Sequence, residues 1–146
     1  MKKGIFSFLC LGFGFVLVGC SNDGEKYSCT YNEELVGMNG EVKINIFHQD
    51  DDINKIEITK TYTIEDEEEQ DNLATYRWII DTENEGYAKK SGINIRIHED
   101  NTEKYSFTYV LNMNNLEEDM YEIFDVSKSF ETQKTKLQNK KDLVCE

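Results

Sequence analysis

Lys55-Ile56-Glu57-Ile58-Thr59-Lys60-Thr61-Tyr62-Thr63-Ile64 decides the fold class. Ile56, Ile58, Tyr62 and Ile64 fall on one side of an extended chain, and Glu57, Thr59, Thr61 and Thr63 fall on the other. That period of two marks a strand with one buried and one wet face. Lys60 interrupts the apolar side and marks either its wet end or a bulge. Upstream, Val42, Ile44 and Ile46 alternate with Lys43, Asn45 and Phe47, and the polar residues 49–52 turn that strand into the next. Tyr27-Ser28-Cys29-Thr30-Tyr31 is β-prone and reads as a still earlier strand.

Downstream the pattern changes at Asp66. Asp66 and Glu69 stand at capping-box spacing, and Glu67, Glu68 and Glu69 suit the positive end of a helix dipole. Leu73, Tyr76, Ile80 and Tyr87 recur at helical spacing. Lys89 and Lys90 close the helix, Gly92 offers a C-cap, and Gly86 is a point where it loosens or ends early. Ile93, Ile95 and Ile97 then alternate with polar residues, as do Tyr105, Phe107, Tyr109 and Leu111. Asn115 caps a short helix carrying Leu116, Met120, Ile123 and Phe124. A last helix around 130–139 turns Phe130 and Leu137 inward, and Leu143-Val144-Cys145 returns extended towards Cys29. The expectation is an α+β fold: an antiparallel sheet of about five strands with helices packed on one face, in the order β-β-β-α-β-β-α-α.

The 146 residues include 16 basic and 29 acidic side chains, a net charge of −13. Such a balance excludes a nucleic-acid phosphate backbone as partner, since that needs clustered Lys and Arg. The 8 Tyr, 8 Phe and 1 Trp supply enough apolar material for one packed core.

The chain opens Met1-Lys2-Lys3, followed by an uncharged, mostly apolar run over residues 5–18. A helical membrane span needs roughly 20 apolar residues, so the run fits the core of a secretory signal peptide instead. Leu17-Val18-Gly19-Cys20 then resembles the lipobox of bacterial lipoproteins, in sequence and in distance from the N-terminus. The resemblance implies a lipoprotein signal peptide over 1–19, cleavage before Cys20, acylation of the Cys20 thiol (diacylglyceryl and palmitate-type chains), and attachment to the extracytoplasmic face of a bacterial cell membrane. Two or more acyl chains anchor stably, at ~0.8 kcal/mol per buried methylene. Residues 20–26 form a lipidated tether and 27–146 a single domain. The mature chain keeps 14 basic against 29 acidic side chains, a charge of −15, so lipid rather than basic residues holds it to an anionic membrane.

A strand near Cys29, a hairpin ending Ile56-Glu57-Ile58-Thr59-Lys60-Thr61-Tyr62, a helix closing on Lys89-Lys90-Ser91-Gly92, and a strand pair ending Val110-Leu111-Asn112 follow in order. In that order the chain resembles the YehR-like family of small, uncharacterised bacterial lipoproteins. Leu143-Val144-Cys145-Glu146 is also similar to the ends of small lipoproteins from low-GC bacteria that carry an early Cys. The resemblance implies an α+β fold and carries over no catalytic residue.

Cys10 leaves with the signal and Cys20 takes lipid, so Cys29 and Cys145 are the pair remaining in an exported domain. Export favours oxidation, and a Cys29–Cys145 disulfide is expected.

Other constellations are weaker. Asp50, Asp52 and Asn54 match the opening of an EF-hand loop, but Lys55 stands where the turn glycine belongs and Thr61 where the bidentate glutamate belongs. The acidic run 65–71 reads as a solvated helix start with at most weak divalent-cation affinity. His48 and His98 lie near strand ends outside any metal or acid–base motif. Nucleophile-elbow and phosphate-loop patterns are absent. Trp78 points about 200° around the helix from Tyr76, either into a broad helical face or outward as an anchor for a ligand or partner. The function these features favour is a non-enzymatic binding or interaction module without a cofactor or metal. The alternatives are a small extracytoplasmic hydrolase and a purely structural envelope protein. A concave apolar pocket would favour binding, and converging carboxylates of raised pKa would favour the enzyme.

Overall fold

The computed structural model describes residues 24–146; the expected signal peptide, the expected lipidation site Cys20 and the first part of the expected tether lie outside the described residues. The elements are β1 (Glu25–Leu35), β2 (Met38–Gln49), β3 (Asp52–Ile64), a 3-10 turn (Glu67–Glu69) leading into α1 (Gln70–Tyr87), β4 (Ile93–Asp100), β5 (Lys104–Asn112), α2 (Glu118–Ile123), α3 (Phe130–Leu137) and β6 (Val144–Cys145). The strands form one sheet in the order β4-β5-β3-β2-β1-β6, every neighbouring pair antiparallel. The fold is α+β with six strands rather than about five. The C-terminal return pairs with β1 as a strand of two residues, too short to show a period of its own.

The alternation seen in the sequence sorts the two faces of the sheet. Val42, Ile44, Ile46, Ile56, Ile58, Phe107 and Leu111 are buried on one face. The opposite face is a polar ladder, in which Thr59 and Thr108 hydroxyls bond at 2.7 Å and Thr61 and Ser106 at 2.9 Å. Helices lie on the apolar face: Leu73 and Ile80 of α1 and Leu137 of α3 join the same core cluster as the strand residues.

Local chemistry differs from expectation at the helix ends. Asp66 makes no side-chain cap bond, and the acidic residues 67–69 form the 3-10 turn. Gly86 is the second-to-last residue of α1, which ends at Tyr87 and leaves Lys89 and Lys90 beyond its last turn. Gly92 sits beyond the helix, at φ +80°, where a Cβ would fall 2.6 Å from the Leu116 backbone. Its role is close approach to the segment before α2. Lys90 binds Glu117 and Asp119 at 2.9 Å each, and Ser91 N–H donates to Glu117, tying the end of α1 to α2. Glu117, not Asn115, is the residue before α2.

Cys29 and Cys145 face each other across β1 and β6, Cα atoms 4.0 Å apart, and are joined as a disulfide. The flanking Ser28–Glu146 pair exchanges both backbone hydrogen bonds, at 3.1 and 2.8 Å. The cysteines therefore occupy the closer, non-hydrogen-bonded kind of antiparallel pair.

Candidate functional site

The strand register lays side chains in rows on the helix-covered face. One row runs Cys29, Ile44, Ile58, Tyr109. The next runs Tyr31, Val42, Lys60, Phe107, and the third Glu33, Gly40, Tyr62, Tyr105. Lys60 thus stands in the middle of the core face, between Val42 and Phe107, both without exposed surface. It lies neither at the wet end of the strand nor at a bulge, since β3 and β5 keep register through it and the β2–β3 irregularity falls at Phe47/His48.

The helices leave that lysine a way out. α1 covers β3 and β5: Tyr76 packs edge-on against Tyr62, Tyr105 donates to Asp81 at 2.6 Å, and Tyr109 donates to Asn84 Oδ1 at 2.7 Å. α3 covers β1 and β2, where Phe130 stacks on His48 and meets Tyr27 edge-on. Between α1 and α3 a cleft of about 300 Å³ stays open. Ile44, Ile56 and Ile58 line its apolar part. Tyr87, Tyr109 and Phe124 add an aromatic cluster with ring centroids 5.0–6.0 Å apart.

The polar part of the lining alternates in sign. Lys60 Nζ lies 3.4 Å from Glu33 Oε1, with side chains 29% and 27% exposed. Glu33 also accepts from the Tyr62 hydroxyl at 3.4 Å. Gly40 stands between Glu33 and Tyr62 in the row, and a Cβ there would lie 3.1 Å from Glu33 Cβ. The missing side chain leaves the space over which Glu33 reaches across β2. Beside this pair, Lys136 binds Asp125 at 2.9 Å and Lys140 lies over the Tyr31 ring at 5.6 Å. Burial, reinforced by the charges of Glu33 and Asp125, pushes the Tyr31 phenol up to about 12. Burial also raises Tyr62 and Tyr109 well above the ordinary tyrosine value. All three phenols are therefore neutral hydrogen-bonding groups at physiological pH. Asn84 Nδ2, buried beside Tyr109, has no hydrogen-bond partner among the described residues.

The residues singled out from sequence lie elsewhere. Trp78 is 70% exposed on α1, beside Asp71, Ala74 and Thr75 and away from the cleft. His48 is buried against Phe130 on the core face, its Nδ1 2.8 Å from the Asp50 carbonyl. His98 contacts Thr108 Oγ1 at 2.7 Å on the polar face. Two strands separate β2 from β4, so the histidines do not come together. In the β2–β3 turn, Asp51 Oδ1 accepts from Ser129 Oγ and Glu131 N–H, which holds the start of α3 and draws the Asp51 pKa down. Glu34 is likewise lowered by its hydrogen bond from Lys141, Glu117 by those from the Ser91 N–H and Lys90, and Asp119 by that from Lys90. Among the described residues no three His, Cys, Asp or Glu side chains gather as a metal site.

The sequence reading takes Lys60 for a wet end or a bulge rather than a site residue, and it passes over Glu33. The signal for Lys60 was present: the apolar alternation resumes at Tyr62 and Ile64, so the strand's buried face does not end at the lysine. Glu33 carried no signal, because its partner is set by the β1–β2–β3 register.

Taken together, the sheet, its single helical layer and the cleft between α1 and α3 define a small α+β module with an amphipathic pocket on its core face. No protein-family model matches the chain. No curated protein matches it. Among solved structures, the NMR structure of a protein from Streptococcus pneumoniae TIGR4 is similar at 12% identity and a TM-score of 0.43, over 80% of this chain and 73% of that one. Among the described residues no helix is long and apolar enough to cross a membrane.

Proposed function

We propose that this is a lipid-anchored, extracytoplasmic binding protein, without catalytic activity, whose domain takes a small amphipathic ligand in the cleft between α1 and α3. The observation that carries this reading is the Lys60–Glu33 pair set on an otherwise apolar core face and opening on that cleft. A charge so placed loses hydration without a matching gain in packing, which has a rationale if a ligand completes the pair. The volume falls at the lower end of the roughly 300–1,000 Å³ of small-molecule sites, which combine apolar walls with a few placed polar groups. The lipobox ending at Cys20 supports the anchoring, and the charge of −15 after processing supports attachment by acyl chains rather than by basic residues.

Saturation-transfer NMR of the mature domain against a library of small aromatic fragments tests the reading. Ile123 is a half-exposed part of the lining, so Ile123→Trp narrows the cleft without entering the core. Fragments should bind the wild-type domain and lose binding in a folded Ile123→Trp variant. Equal binding by both proteins would place the site elsewhere.

A further inference from the structure

We propose that the cleft takes a zwitterionic amino acid with a large apolar side chain, its carboxylate on Lys60 and its ammonium on Glu33; this rests on the cleft being the ligand site. The volume corresponds to roughly ten water molecules at about 30 Å³ each, which suits a ligand of amino-acid size. Ile44, Ile56, Ile58 and the aromatic cluster of Tyr87, Tyr109 and Phe124 offer an apolar surface for a side chain.

The head group follows from charge. Lys60, Lys136 and Lys140 line the cleft with Glu33, Glu83 and Asp125, three of each sign. A singly charged ligand pairs with only one of Lys60 and Glu33, whereas a zwitterion offers an opposite charge to both. The Lys60–Glu33 and Tyr62–Glu33 contacts are both 3.4 Å, beyond the usual 2.7–3.2 Å of N–H···O and 2.5–3.0 Å of O–H···O bonds, while Tyr105–Asp81 and Tyr109–Asn84 close to 2.6 and 2.7 Å. Lysine has three donors and an ionised carboxylate about four acceptor positions, so both groups keep capacity for a ligand. A carboxylate on Lys60 and an ammonium on Glu33 add two charge-assisted bonds while leaving the pair electrically balanced.

The test uses three ligands with one phenyl body: L-phenylalanine, 2-phenylethylamine and 3-phenylpropanoate, titrated into the mature domain and followed by amide and methyl NMR shifts. L-Phenylalanine should bind at least tenfold more tightly than either singly charged analogue. Lys60→Met should remove its advantage over the amine, and Glu33→Gln its advantage over the acid, in variants whose spectra stay folded. If an analogue binds as well as the amino acid, with shifts at Ile58 and Tyr109, the head-group assignment is wrong and the cleft reading stands. If none of the three moves cleft resonances, while fragments do so in the screen above, the amino-acid proposal alone fails. Silence in both experiments removes the cleft reading and this proposal with it.

Discussion

Reducing the Cys29–Cys145 disulfide should cost stability chiefly through the unfolded chain. The bond joins residues separated by 116 positions. Loop-closure entropy for a ring of that size is about 16 cal/mol/K, or about 4.9 kcal/mol at 25 °C, and measured effects are more often about 2–4 kcal/mol. The folded state should lose little, because Ser28 and Glu146 still exchange two backbone hydrogen bonds and the rest of β1 is held by β2 along its whole length. With a urea m value of roughly 1.5 kcal/mol/M for a domain of this size, a loss of about 3 kcal/mol lowers the unfolding midpoint by about 2 M. Equilibrium urea denaturation of the mature domain, oxidised and then reduced under otherwise identical buffer, measures this directly. Cys29→Ala/Cys145→Ala serves as a control insensitive to reductant. Coincident midpoints for the oxidised and reduced protein would refute the cross-link argument.

Three further outcomes follow from particular residues. Cys20→Ala should abolish metabolic labelling with palmitate and release the protein from the membrane fraction; undiminished labelling would contradict the lipoprotein reading. Ile80 is 6% exposed on the inner face of α1, so Ile80→Asp buries an unpaired carboxylate and should cost about 3–5 kcal/mol or unfold the domain, read by the same urea assay. Asp51 has a pKa drawn down in the folded protein by bonds from Glu131 and Ser129. Its contribution is therefore present above the ordinary carboxylate pKa and is lost as pH falls through the lower folded value. Protection factors of the amides at the start of α3, taken relative to the intrinsic exchange rate at each pH, should fall over that acid range in the wild type and already be low at neutral pH in Asp51→Ala.

Much of the architecture was legible because one face of the sheet is buried and the other wet. Period two in 42–46, 56–64, 93–97 and 105–111 marks strands without reference to tertiary structure, and Leu73, Tyr76 and Ile80 mark the inner face of α1 in the same way. The β1–β2 hairpin was underestimated because Asn32, Glu33 and Glu34 look like loop residues. They are strand residues, and the chain reverses only at Val36-Gly37, where Gly37 takes φ +73°. The histidines and the acidic turn stood out by residue type, yet their partners are Phe130, Thr108 and the first turn of α3. The cleft was not legible in the same sense. It arises where α1 and α3 fail to meet over the sheet, and that gap depends on how each seats on its own strands.

Whether the core-face cleft around Lys60 receives a ligand is read from a methyl-NMR titration of isoleucine-labelled mature domain. Ile44, Ile56 and Ile58 line the cleft, whereas Ile97 is exposed on β4 away from it and serves as an internal reference. Saturable shifts of the three cleft methyls are expected on adding L-phenylalanine, with Ile97 unmoved, and at least tenfold weaker binding in a folded Lys60→Met variant. Shifts that fall on Ile97 or other surface methyls while the cleft methyls stay still would contradict the cleft as the ligand site.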